Sequence, residues 1–296
     1  MTRTVRIASA QYDIGCFAHW DDYAAKLTRW VAEAAPRAEL LVFPEYGAME
    51  LASLLPAPAR ADLGLQIAGM QALLPGFMSL HRALAMQHRI YLLAASSPVE
   101  VRPGIYCNRA HLFSPEGNVG WQDKQVMTRF ENERWGISAG APARVFDTQL
   151  GHLAVAICYD VEFPALVRRQ VEAGAELILA PSCTDGLAGY HRVRIGCQAR
   201  ALENQCAVVQ SCTVGEAPWS EAVDVNVGAA GVFVPPDSGL PENGVVAGGT
   251  LNAAQWLFAE LDLAALARVR EEGQVLNHRD WPRQETSAAV QLQPLA

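Results

Sequence analysis

The chain of 296 residues is 51% hydrophobic and 18% charged, with 31 acidic side chains against 23 basic ones and a formal charge of −8. This composition excludes a disordered chain and allows a full core, as one large α/β domain or two small ones. An acidic balance without a dense Lys/Arg run also argues against nucleic-acid and membrane-surface partners. All the basic residues except Lys26 and Lys124 are arginine. The N-terminal Met1-Thr-Arg-Thr-Val-Arg-Ile-Ala-Ser-Ala-Gln11 has no apolar stretch of signal-peptide length, and no apolar run approaches ~18 residues. A soluble, cytoplasmic protein is expected. Seven unpatterned cysteines, without C-x-x-C or H-E-x-x-H, suit a reducing compartment, and neither a metal nor a cofactor is expected.

In chain order, the apolar periodicity alternates strands with helices. Residues 5–10 read as a strand, and 21–34 as a helix with Tyr23, Leu27, Trp30, Val31 and Ala34 on one face and Asp21 or Asp22 as its cap. Glu39-Leu-Leu-Val-Phe43 is a continuous apolar run of the kind buried on both faces of a sheet, and it stops at Pro44. A mostly helical stretch follows over 60–87, with Pro75 as its expected break, then a strand over 89–96. Residues 105–113 and 119–124 flank the turn cluster Ser114-Pro-Glu-Gly-Asn118 and predict a hairpin. Strands over 152–158, 176–181 and 206–211 alternate with helices ending near Gly174 and spanning 190–204, and late strands lie near 231–234 and 255–261. The simplest architecture is one domain over residues 1–273 on mixed sheets with helices outside, then an extended tail over 274–296.

Ligands in such folds gather where strands end, and three strand ends carry chemistry. Glu45 closes the run Val42-Phe43-Pro44-Glu45-Tyr46; burial there would raise its pKa and suit it to general-base work, although a loop glutamate in solvent is the plainer reading. Lys124 closes the return strand of the hairpin, where a lone lysine is ordinarily an edge charge. Cys158 sits between an apolar strand and a helix start, in Ile157-Cys158-Tyr-Asp160. A thiol in that position faces a helix N-terminus, which should lower its pKa from ~8.5. The other cysteines fit plain packing better.

With these residues in place the sequence resembles the nitrilase superfamily of carbon-nitrogen hydrolases, over nearly the whole chain. Phe43-Pro-Glu45, then Lys124 with Thr128-Arg-Phe-Glu131, then Cys158-Tyr-Asp160 with Phe163-Pro164, and finally Arg200-Ala-Leu-Glu203-Asn204 match the family's motifs in order and spacing. The resemblance implies a four-layer αββα sandwich with two mixed β-sheets and a Glu45-Lys124-Cys158 triad. Glu45 would take the thiol proton, Cys158 attack the substrate carbon, and Lys124 with the backbone N–H of Tyr159 stabilise the oxyanion. Glu131 best fits the family's second active-site glutamate, with Glu133 close enough to compete. Ala165 departs from the common pattern, in which glutamate follows the proline.

Cys158-Tyr-Asp160 is similar to the amidase and carbamoylase branches, so a small non-peptide amide is the expected substrate, with an N-carbamoyl amino acid or a nitrile as alternatives. Tyr46, Tyr159, Trp135, Phe163 and Ser182-Cys183-Thr184 are candidates to line its pocket, each about equally readable as core. Arg192, Arg194 and Arg200 read as ion-pairing residues ahead of ligands for a substrate carboxylate. A catalytically silent protein of the same fold is disfavoured by the intact triad. A Cys-His hydrolase would need His191, since His152 lies six residues back along the strand, ~20 Å from Cys158. The resemblance also implies a homodimer or larger homo-oligomer.

Overall fold

The computed structural model describes residues 4–286 and 292–293. The chain is an α/β protein built on a mixed sheet. Its first half places Val119–Asp123, Ile105–Phe113, Tyr91–Leu93, Leu40–Val42, Thr4–Asp13 and Gln255–Asp262 side by side. The second half places Val145–Thr148, Gly151–Val155, Leu177–Ser182, Ala207–Glu216, Gly231–Phe233 and Val245–Gly248 in the same way. Both halves mix parallel and antiparallel neighbours. They are not separate, because Gln11–Asp13 pairs in parallel with Cys212–Val214.

The alternation of side chains along Thr4–Asp13 divides the core. Val5 and Ile7 face one cluster with Leu153, Leu177, Val208 and Val232, so residues of both halves meet there. Ala8, Ala10 and Tyr12 face a second cluster with Leu41 and Phe43, covered by Leu27 and Val31 of the helix Trp20–Ala34 and by Phe77 and Leu84 of the helix Leu74–His88. Leu40–Val42 is wholly buried, as its unbroken apolar run requires.

Several boundaries differ from expectation. His19, without a side-chain hydrogen bond, occupies the N-cap of the first helix, while Asp21 and Asp22 fall in its first turn, where carboxylates favour the helix dipole. The helical stretch breaks beside Pro75 as expected, between the helices Leu63–Met70 and Leu74–His88, and Pro75 sits in the first turn of the second, where proline forfeits no intrahelical bond. The helix Leu263–Glu272 was legible but missed: the side chain of Asp262 caps it by accepting from the N–H groups of Ala264 and Ala265. The tail is not simply extended, because Asn277–Asp280 and Trp281–Thr286 form short helical turns; residues 287–291 and 294–296 lie outside the described residues.

Two features brace the site from outside. Lys26 is buried, with its ammonium on Glu50 Oε1 at 2.6 Å and on the carbonyl of Asp13; Glu50 also accepts from Tyr12 OH at 2.7 Å and from the N–H of Gly15 at 2.6 Å. That network holds the helical turn Gly47–Leu54, which immediately follows Glu45 and Tyr46. On the other side Gly140 donates its N–H to the carbonyl of Lys124 at 3.1 Å, and a Cβ on Gly140 would overlap the side chain of Asp123. Gly140→Ala is therefore expected to cost about 1–3 kcal/mol through overpacking. A lowered Tm in thermal denaturation would show it; an unchanged Tm would mean that the Asp123 side chain yields freely.

Candidate active site

Glu45, Lys124 and Cys158 leave three different strands and meet at one cavity of about 640 Å³, within the range of small-molecule sites. Glu45 follows Leu40–Val42, Lys124 follows Val119–Asp123, and Cys158 follows Gly151–Val155. Lys124 Nζ lies 2.7 Å from Glu45 Oε1 and 2.7 Å from Glu131 Oε2. All three groups are at most 2% exposed. The Cys158 thiol lines the same cavity with its Sγ 3.8 Å from the carbonyl oxygen of Cys183, and the Glu45 carboxyl is near enough to bear on its ionisation.

Local sequence explains how each group is held. Thr128 and Glu131 form a reciprocal box: Glu131 Oε2 accepts from Thr128 N–H and Oγ1, both at 2.8 Å, and Glu131 N–H reaches Thr128 Oγ1 at 3.4 Å. Tyr46 OH donates to Glu131 Oε1 at 2.6 Å. Asn108 Nδ2 donates to Glu45 Oε1 at 2.9 Å, and the backbone carbonyl of Asn108 accepts from Lys124 N–H at 2.9 Å. Cys158 has φ +50° and Tyr46 φ +53°, a left-handed conformation that costs a non-glycine residue ~1–3 kcal/mol and concentrates at functional sites.

Burial and the charge of Lys124 compete in the electrostatics. Burial raises Glu45 to about 7, against the opposing pull of the Lys124 charge. Burial works to raise Glu131 as well, but the Lys124 charge and its hydrogen bonds hold it below the ordinary carboxylate range. Lys124 is desolvated yet held firmly protonated by the two glutamates. The expected acidic thiol is overturned: burial, reinforced by neighbouring Glu45, pushes Cys158 well above a free cysteine. The site thus rests as thiol, ammonium and one firm carboxylate, with Glu45 poised near neutrality.

Of the proposed pocket residues, Tyr46, Trp135, Tyr159, Cys183 and Thr184 line the cavity. The Tyr46 and Trp135 rings pack 4.5 Å apart. Ser182 does not line it; it is buried one residue earlier, with its hydroxyl donating to the Ser211 carbonyl at 2.6 Å. Phe163 also lies off the cavity, packed edge-on against Tyr159 at 4.8 Å, where it precedes the helix Pro164–Glu172. Glu133 points outward to Arg129 at 2.8 Å, whereas Glu131 turns inward to Lys124. Neither histidine lines the cavity: His152 lies near Asp147 and the Gly174 carbonyl, and exposed His191 lies against Tyr190.

Arg200 pairs with Glu203 at 3.0 Å and Arg192 with Glu162 at 3.7 Å, as expected, though Arg192 also lines the cavity. Arg194 departs from that expectation, lying over the Phe233 ring. Sequence reasoning missed Asn108, a wholly buried polar residue in the strand Ile105–Phe113, and the segment of Glu221, Ala222, Asp224 and Val225 that closes one cavity wall.

A family model described as carbon-nitrogen hydrolase matches residues 6–271. The chain belongs to the carbon-nitrogen hydrolase family. The chain is 35% identical over 280 residues to the probable hydrolase YhcX of Bacillus subtilis (strain 168), covering 94% of this chain and 54% of that one. It therefore spans about half the length of YhcX. It is 28% identical over 198 residues to omega-amidase NIT2-A of Xenopus laevis, covering 64% and 67% of the two chains. In fold it resembles a carbon-nitrogen hydrolase from Helicobacter pylori G27, with a TM-score of 0.76 at 17% identity over 96% and 95% of the chains. An amidase from Nesterenkonia sp. AN1, solved as a double mutant with acrylamide, gives a TM-score of 0.69 at 22% identity over 94% and 97%. These neighbours establish the nitrilase-superfamily fold.

Proposed function

We propose that this carbon-nitrogen hydrolase cleaves a small non-peptide amide through an acyl-thioester on Cys158. The meeting of Glu45, Lys124 and Cys158 at one cavity carries this reading. The thiol proton passes to Glu45 as sulfur attacks the carbonyl carbon. The oxyanion forms against Lys124 Nζ and the backbone N–H of Tyr159, donors of a kind typically worth ~3–4 kcal/mol each. When the C–N bond breaks, Glu45 gives its proton to the departing nitrogen, which leaves as ammonia or an amine. Glu45 next takes a proton from water, whose oxygen attacks the thioester; the C–S bond breaks, the acid is released and the thiol is restored. Glu131 keeps Lys124 charged and oriented throughout.

The firm protonation of Lys124 supports its electrophilic role, because an ammonium held between two carboxylates does not compete with Glu45 as base. The aromatic walls of Tyr46, Trp135 and Tyr159 favour a compact acyl group.

The test is an ammonia-release screen over short aliphatic amides, dicarboxylic acid monoamides, N-carbamoyl amino acids and nitriles, with Cys158→Ala as the blank. Amide turnover absent from the blank, with an acyl mass on Cys158, is expected. Turnover of nitriles without amides would move the assignment to another branch, and equal turnover by the blank would refute the thioester route.

A further inference from the structure

Asp160 is a buried carboxylate with no part in the steps above, two residues beyond the nucleophile. Its Oδ1 accepts from the N–H of Val126 at 2.8 Å and of Gln125 at 3.1 Å; its Oδ2 accepts from Gln125 at 3.2 Å and from the N–H of Ile157 at 3.3 Å. Its own N–H donates to the Ile157 carbonyl at 3.0 Å, closing the turn in which Cys158 takes its positive φ. Gln125 and Val126 immediately follow Lys124, and Ile157 immediately precedes Cys158. One side chain therefore binds the backbone of the lysine loop to the backbone of the cysteine turn, although the two are more than 30 residues apart in sequence.

The other anchors of Lys124 do not make this link. Its ammonium is held by Glu45 and Glu131, and its backbone by Asn108 and Gly140; of these only Glu45 comes near Cys158, at the thiol, and none bonds the backbone of the Cys158 turn. Contacts to three backbone N–H groups also fix the orientation of the Asp160 carboxyl, the bond from Val126 at 2.8 Å being the shortest.

We propose that Asp160 is a positioning residue: it fixes the offset between the Lys124 ammonium and the Cys158 sulfur, the gap across which an oxyanion must form. The proposal rests on the reading of Cys158 as nucleophile. A misplacement of about 1 Å in such a constellation costs on the order of 10²-fold in rate.

Asp160→Asn keeps the volume but turns an amide NH₂ towards backbone donors. The expected result is a 10- to 100-fold lower kcat on whichever amide the wild type hydrolyses, with KM within threefold. In a second arm without substrate, iodoacetamide alkylation of Cys158 at pH 8, followed on peptides by mass spectrometry, should slow at least fivefold. The rate at exposed Cys16 should stay constant. Should the Asn variant fail to fold, Asp160→Glu, which keeps the charge but lengthens the arm, carries the same two readouts with the same expected direction. A folded variant with alkylation unchanged or faster, or with a fall in kcat/KM that lies entirely in KM, overturns the proposal. The alkylation arm decides even if no amide is turned over, so failure of the amide assignment stays distinguishable from failure of Asp160's role.

Discussion

Lys124→Met should abolish amide turnover and destabilise the fold by about 3–5 kcal/mol, the ordinary cost of removing one partner from a buried charge cluster. Lys124 is 1% exposed and bridges two carboxylates that are themselves buried. Without it Glu45 and Glu131 face each other across an apolar methionine, and two adjacent buried carboxylates cannot both stay ionised. Glu131, now held below the ordinary range by the ammonium, would be released upward by its burial. Folded-state carboxyls with raised pKa values stabilise below the unfolded pKa and lose that contribution as pH rises through the folded value. The variant should therefore be relatively more stable at pH 5 than at pH 8, measured against the wild type by urea unfolding. Wild-type stability at both pH values would show that the lysine was not compensating the pair. Lys124→Arg should not rescue turnover, because a planar guanidinium cannot place one point charge between Glu45, Glu131 and the oxyanion.

Glu45→Gln should leave the fold intact and remove 10²–10⁴-fold of the rate, the usual weight of a general base. Glutamine keeps an oxygen for the Asn108 amide and for Lys124, while Glu131 still balances the ammonium. The distinguishing measurement is the pH profile. Glu45 must be ionised to accept the thiol proton, and burial places its pKa at about 7. Wild-type kcat/KM should accordingly fall about tenfold per pH unit below that value and flatten above it. Residual activity of Glu45→Gln should lack this acid limb. If the limb persisted in the variant, another group would be the base.

How much of the site the sequence showed depended on the kind of fact involved. Glu45, Lys124 and Cys158 were legible because each stops an apolar run and because their motifs fall in family order. Glu131 was preferred over Glu133, and the Thr128 box gives the physical reason, since Thr-x-x-Glu spacing turns the carboxylate inward. Thiol acidity was misread because a helix start is a local feature, whereas the burial that outweighs it comes from strands far away in sequence. Ser182 failed through strand alternation: it is the last residue of its strand and turns towards Ser211, leaving the cavity to Cys183. Asp160 stood within a quoted motif, yet its partners at 125 and 126 become neighbours only after folding. The wall at 221–225 carries no periodic signal at all. The fold was read more easily, since uninterrupted strands such as Leu40–Val42 and Leu177–Ser182 declare their burial by composition.

Both lysines of the chain are spent inside it, Lys26 on Glu50 and Lys124 on Glu45 and Glu131. The folded exterior thus presents its positive charge as guanidinium and offers essentially no side-chain primary amine. Amine-directed acylating reagents should leave both lysines of the native molecule unmodified, and labelling of either would report that the chain had opened.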